Sequence, residues 1–155
     1  MPLDEHAICH EAGHAVVALH LGFHVEKIEM TDGRPNSKID LDSMQKTLAG
    51  RYIVLAGGIA GEKFFYGDYN KEASRNDQNM ISERGGGDIK EYLVEALKII
   101  SHREICLREF KQQLRAGWVK GAAEAQWESN PDSFDLLSRD EIQRIWNDAC
   151  RKHGK

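Results

Sequence analysis

The segment HEAGH at residues 10–14 constrains this chain more than any other part of its sequence. Two histidines four residues apart share one face of an α-helix, about one turn from each other. Their ring nitrogens can then reach one Zn²⁺ ion, and the glutamate beside that face can accept a proton from a water that the metal polarises. The pattern predicts a helix with His10 and His14 as metal ligands and Glu11 as the general base, the arrangement of a zincin.

The sequence around the motif supports such a helix. Asp4 can cap its N-terminus, apolar residues recur at helical spacing to about Leu21, and Gly22 is placed to end it. His6 lies four residues before His10 on the same face. Because eight residues of helix rise about 12 Å, one ion cannot contact both His6 and the far end of the motif. We therefore expect His6 to be a solvated first-turn residue rather than a support for the ligands.

The third metal ligand has to come from another part of the chain. His20 stands where a metzincin has its third histidine, but Val17 replaces the glycine that turns the chain in that pattern. In a continuing helix His20 points about 120° away from His14, so we expect it at the helix end and not at the metal. Acidic residues downstream are the remaining choices, and spacing alone does not distinguish Glu62, Asp77, Glu83 and Asp88.

The remaining sequence predicts a mainly helical domain with one small β-hairpin. The predicted elements are strands 25–30 and 38–41 and helices 43–66, 88–101, 104–127 and 138–152. Glycines at positions 57, 58 and 61 favour a close approach between the second helix and the first. The polar, Gly-rich stretch 67–87 is expected to form a long loop.

Composition limits the classes of protein that this chain can belong to. Its 155 residues suit one domain, 1–155, and a net charge of −4 argues against a general nucleic-acid binder. The longest non-polar run, 53–61, is far shorter than the roughly 20 residues of a membrane span, and no export signal is recognisable. The three cysteines, Cys9, Cys106 and Cys150, form no CxxC pair and are expected as free thiols in a reducing cytoplasm.

Three segments resemble the peptidase domain of the FtsH-type zinc proteases, the membrane-anchored AAA proteases. HEAGHA at 10–15 is a family hallmark longer than the bare motif, and LAGGIAGEKFFYG at 55–67 is similar to a small-residue, Glu-containing helix of the family. Gly87-Asp88-Ile89 resembles the segment whose Asp supplies the third zinc ligand. The resemblance covers about residues 3–115 and is weak over the C-terminal helices at 116–155.

The resemblance implies a helical, zincin-like metallopeptidase that hydrolyses peptide bonds in unstructured polypeptide or peptides. It implies one Zn²⁺ on His10, His14 and Asp88, with Glu11 as the general base. The chain contains no Walker-type phosphate-binding sequence, so we expect activity without ATP. A polypeptide substrate could pair along the edge of strand 25–30, and the hexameric assembly of the family allows a homo-oligomer.

Two other functions remain open at this point. One is a non-catalytic, zinc-stabilised module that binds peptides or proteins, and the other is a hydrolase that acts on a different amide. The intact Glu11 argues against the first, because a structural zinc needs no base and usually has four protein ligands. The second uses the same site, and residue spacing does not distinguish it from a peptidase.

Overall fold

The computed structural model describes residues 3–41, 48–72, 74–83 and 89–150. It is mainly helical with one small antiparallel sheet that includes a hairpin, so the predicted fold class is confirmed at that level. The helices are α1 (Glu5–His20), α2 (Leu48–Tyr66), α3 (Arg75–Glu83), α4 (Lys90–His102), α5 (Glu104–Ala125) and α6 (Arg139–Ile145), and a π-helical turn (Trp146–Cys150) follows α6. The strands are β1 (His24–Thr31), β2 (Arg34–Asp40) and β3 (Phe134–Leu137).

Helix α1 begins and ends where the sequence predicts. The Asp4 side chain accepts a hydrogen bond from the Ala7 backbone N–H at 3.1 Å, which caps the N-terminus. At the other end Gly22 takes a φ of 83°, and the Phe23 backbone N–H reaches back to the Ala18 carbonyl at 2.8 Å. A left-handed residue followed by this bond is a Schellman cap, and it turns the chain out of the helix into β1.

Glycines bring the backbones of α1 and α2 into direct contact. A Cβ on Gly57 would lie 2.9 Å from the Gly13 carbonyl oxygen, and a Cβ on Gly13 would lie 3.0 Å from the Gly61 Cα. Since real side chains do not tolerate such distances, only glycine allows this crossing. The predicted close approach of the two helices is confirmed, and it places the metal-binding motif of α1 against the middle of α2.

The sheet differs from the prediction in having a third strand. Asp32 and Gly33, both with positive φ, form the tight turn of the predicted hairpin between β1 and β2. Strand β3 pairs with the other side of β1, so the strand order is β2-β1-β3. This pairing occupies the second edge of β1 at Ile28, Glu29 and Met30, so a substrate cannot pair there as the sequence suggested. For residues 25–27 the expectation of a substrate edge stays a prediction. Strand β3 was not predicted from the sequence because it is only four residues long.

A helix lies inside the stretch 67–87 that was predicted as a loop. Helix α3 is strongly polar and buries only Ile81, so its sequence has no apolar stripe from which a helix could be predicted. Helices α4 and α5 agree closely with the predicted ranges. At the last helix Ser138 and Glu141 form the predicted capping box, with bonds of 3.2 Å and 3.1 Å. That helix changes to π geometry after Ile145.

Two of the three cysteines are paired, which corrects the expectation of three free thiols. Cys106 in the first turn of α5 forms a disulfide with Cys150 at the end of the π-helical turn, with their Cα atoms 5.2 Å apart. The pair is separated by 44 residues, so only the tertiary fold brings it together. Cys9 on α1 is a free, buried thiol, as predicted for that residue.

One cluster of buried apolar residues connects helices α1, α2, α4, α5 and α6 with strands β1 and β3. Phe110 of α5, Ile28 of β1 and Ile59 of α2 are all fully buried. Burial on this scale fixes α1 from several sides and gives the motif a rigid base. None of the helices in the described part of the chain is both long enough and apolar enough to span a membrane.

Candidate metal centre

The two histidines of the motif meet on one face of α1, as their spacing predicts. Both residues are buried, each with 7% of its surface exposed. Their Nε2 atoms lie 3.0 Å apart, and the rings stand edge to face. The two nitrogens therefore point at a common position beside the helix.

The other nitrogen of each ring is held by α2. His10 Nδ1 donates to Glu62 Oε2 at 2.8 Å, and His14 Nδ1 donates to the Val54 carbonyl at 2.8 Å. These partners accept hydrogen bonds, so each ring carries a proton on Nδ1, and each Nε2 atom that has lost its own proton directs a lone pair at the common position. This is the usual way in which a protein orients histidine ligands.

Asp77 of α3 supplies a third group at the same position. Its Oδ2 atom lies 3.1 Å from His10 Nε2 and 3.1 Å from His14 Nε2, and its side chain is 16% exposed. Asp77 was one of the four acidic residues that spacing left open. Of the others, Glu62 lies behind His10 and Glu83 is exposed at the end of α3. Asp88, the ligand that the family resemblance favours, lies outside the described residues, so its role stays a prediction.

The charges at this position favour a cation. Burial alone would lower the pKa of His10, but its hydrogen bonds with Asp77 and Glu62 outweigh burial and raise the pKa to about 10. Burial also opposes the charged form of His14, and the charge of Asp77 reverses the effect and raises its pKa. Burial would raise the pKa of Asp77, but the adjacent imidazoles hold it well below its usual range. The carboxylate therefore stays ionised and attracts positive charge.

The three groups could hold a metal ion. Ligand atoms at about 2.0–2.1 Å from a tetrahedral zinc lie about 3.3 Å from one another, and the distances between these three atoms are 3.0–3.1 Å. Two lone-pair nitrogens and a carboxylate cannot hydrogen-bond to one another without an added proton or cation. Gly58 of α2 keeps the space clear, since a Cβ there would lie 2.6 Å from His14 Nε2. His10, His14 and Asp77 form the one cluster of potential metal ligands among the described residues.

Glu11 lies on α1 between the two histidines and does not belong to the ligand cluster. It is buried, with 6% of its surface exposed, and its charge contributes to the raised pKa of both His10 and His14. The Ser37 hydroxyl of β2 donates to Glu11 Oε1 at 2.6 Å. Glu11 is thus a buried carboxylate on the motif helix that is not a member of the group of potential ligands.

His6 is less solvated than predicted. Its Nδ1 lies 3.3 Å from Glu62 Oε1, and its ring stacks on Tyr66 with centroids 4.0 Å apart. Glu62 is 1% exposed and also accepts the Asn70 backbone N–H at 3.0 Å, so its two oxygens are shared by three donors. His6 therefore supports a carboxylate that orients a ligand. The helix geometry excluded direct ligation but gave no sign of Glu62, which belongs to another helix.

His20 and Cys9 lie where the helix geometry puts them, away from the metal position. His20 Nδ1 accepts a hydrogen bond from Arg103 Nε at 3.1 Å, and among the described residues His20 does not belong to the group of potential ligands. Burial raises the pKa of the Cys9 thiol to about 11, so it is protonated and inert at neutral pH.

Ser37 was missed by sequence reasoning, because a serine in a hairpin carries no motif.

No protein-family model and no curated protein matches this chain. The resemblance to FtsH-type proteases therefore stands on the sequence segments alone, and the structure adds the convergence of His10, His14 and Asp77.

Proposed function

We propose that the protein is a zinc-dependent metallopeptidase that hydrolyses peptide bonds in unstructured polypeptide or peptides. One observation carries the proposal: two imidazole Nε2 atoms and a carboxylate converge within 3.0–3.1 Å beside a buried glutamate that is not part of the cluster. A purely structural zinc site has four protein ligands and no use for that glutamate. Three protein ligands and a base are the composition of a hydrolytic site.

Each residue has a distinct task in this proposal. His10, His14 and an aspartate would hold the ion, and a bound zinc would polarise a water molecule and the scissile carbonyl. The Glu11 carboxylate accepts one proton of the water as the water oxygen bonds to the carbonyl carbon. Glu11 then delivers that proton to the leaving amine nitrogen as the C–N bond breaks.

Strand β2 is the best place for an extended substrate. Among the described strands it pairs only with β1, so its other edge is available for strand addition. Its exposed and half-buried residues alternate along the whole strand, as expected when one face packs inward. The hydrogen bond from Ser37 to Glu11 supports this choice, because it brings the strand next to the proposed base. A peptide added to this edge would pass close to the metal position.

The test compares cleavage with metal content for one substitution. Glu11→Gln keeps the shape of the side chain and removes the base, so we expect zinc content near wild type and hydrolysis of casein about 10² times slower. Glu26→Gln on the exposed face of β1 is the matched control and should cleave at the wild-type rate. ATP should change neither result.

Two outcomes would contradict the proposal. If the zinc-loaded wild type cleaves no unfolded protein or peptide, the non-catalytic binding module becomes the better interpretation. If Glu11→Gln cleaves as fast as wild type, Glu11 is not the base and the zincin mechanism is wrong for this protein.

A further inference from the structure

Ser37 makes a contact with Glu11 that the zinc-binding motif does not require. Its hydroxyl donates to Glu11 Oε1 at 2.6 Å, the length typical of a hydrogen bond to an ionised carboxylate. The two residues belong to different elements, β2 and α1, and are 26 positions apart. The contact therefore depends on the docking of the hairpin against the helix.

The hairpin holds the Ser37 hydroxyl firmly in place. Ser37 is half-buried and lies opposite Ile28 in the register of β1 and β2. Ile28 is fully buried in the core, and β1 is paired on both sides. The backbone of Ser37 is therefore fixed relative to α1, and its hydroxyl can hold one rotamer of the glutamate, which on its own has several available.

We propose that Ser37 is a positioning residue that fixes the Glu11 carboxylate for proton transfer; this inference rests on the proposed function. A hydroxyl that donates to Oε1 leaves Oε2 to receive the proton of the attacking water. Because the reacting groups must be held close to their productive geometry, loss of the anchor should slow the chemical step rather than weaken substrate binding. The same strand that presents its edge to the substrate would then orient the base.

The experiment uses three single variants of the full chain. Ser37→Ala removes the hydroxyl, and Ser37→Thr keeps it on a residue that suits a strand. Ser101→Ala makes the same change at an exposed serine of α4, away from the proposed substrate strand. We expect Ser37→Ala to lower kcat about tenfold with unchanged KM and unchanged zinc content. Ser37→Thr should recover most of the rate, and Ser101→Ala should match wild type. Wild-type kcat in Ser37→Ala would overturn the inference while leaving the proposed function intact.

A second measurement needs neither zinc nor substrate. Urea unfolding of the metal-free wild type, Ser37→Ala, Glu11→Ala and the double variant forms a double-mutant cycle. If the hydroxyl holds the carboxylate, the two substitutions should be coupled by about tenfold in the folding equilibrium constant. Additive effects would overturn the anchoring contact even if the protein cleaves peptides. Coupling without any cleavage by wild type would support the contact and count against the proposed function alone.

Discussion

Gly58→Ala should weaken metal binding by more than it lowers the stability of the fold. Gly58 lies one turn after Val54 on α2, directly beneath the two imidazoles. An added Cβ would lie 2.6 Å from His14 Nε2 and would also collide with the ring of His10. Ordinary contacts begin at 3.4 Å, so the His14 nitrogen would have to move by about 0.8 Å.

That displacement is larger than the site can absorb. His14 Nδ1 is 2.8 Å from the Val54 carbonyl, and a shift of about 0.8 Å would take this hydrogen bond beyond the usual limit. Metal–ligand distances tolerate only about 0.2 Å. Since loss of a ligand's supporting contact alone costs roughly 10–100-fold in metal affinity, we expect the zinc Kd to rise by about 100-fold.

The effect on folding is smaller because two terms oppose each other. Alanine is favoured over glycine inside a helix by about 0.8–1 kcal/mol, whereas overpacking costs about 1–3 kcal/mol. The free energy of unfolding of the metal-free protein should therefore fall by no more than about 2 kcal/mol. A change in zinc affinity that exceeds the change in stability distinguishes damage at the site from general unfolding.

The assay is zinc competition against a chromogenic chelator, with urea unfolding of the metal-free protein in parallel. Gly121→Ala on α5 is the matched control, because its Cβ would collide with the Phe134 ring far from the site. It should lower stability and leave the zinc Kd unchanged. Wild-type zinc affinity in Gly58→Ala would refute the geometry of the site described above.

Three further predictions concern the ligands, the pH dependence and the thiols. If Asp77 is the third ligand, Asp77→Asn should weaken zinc binding by at least about tenfold while Asp88→Asn binds normally, and the reverse result in zinc titrations would assign the role to Asp88. Because the folded pKa of His10 is raised to about 10, its stabilisation of the metal-free protein should be complete below about pH 6.5 and lost as the pH rises through 10, as urea unfolding with a chelator present would show. Zinc affinity should rise over the same range, since the ligands must lose protons, and a parallel fall would contradict this. Ellman's reagent should find no reactive thiol in the native protein and one, Cys9, after unfolding without reductant; two or more would exclude the disulfide.

Local sequence patterns predicted those features of the site that depend on residues close together in the chain. The spacing of His10 and His14, the cap at Asp4 and the glycines of α2 are short-range signals, and each has the expected structural outcome. The roles of Glu62 and Val54 could not be predicted, because both depend on how far α2 is rotated against α1. A helix crossing fixes that rotation only after the chain has folded.

Contacts between residues far apart in the sequence could not be predicted for a similar reason. Asp77 is 63 residues from His14 and belongs to a polar helix without an apolar stripe. The pairing of Cys106 with Cys150 is set by the return of the C-terminal segment to α5. In each case the sequence around the residue does not indicate which distant residue it contacts, so composition and spacing did not identify the partner.

The anchoring of α3 has a consequence for how the protein would take up a metal. This helix has nine residues, too few to be stable alone, and Ile81 is its one buried residue. Ile81 packs with Tyr52 and Leu55 of α2, whereas Asp77 contacts the two imidazoles of α1. An ion bound to Asp77 and the two imidazoles would stabilise the packing of α3 on the rest of the molecule. Metal binding and the local folding of α3 would then be coupled. The measured zinc affinity would then include the cost of ordering this helix, and amide hydrogens of α3 would exchange more slowly once zinc is bound.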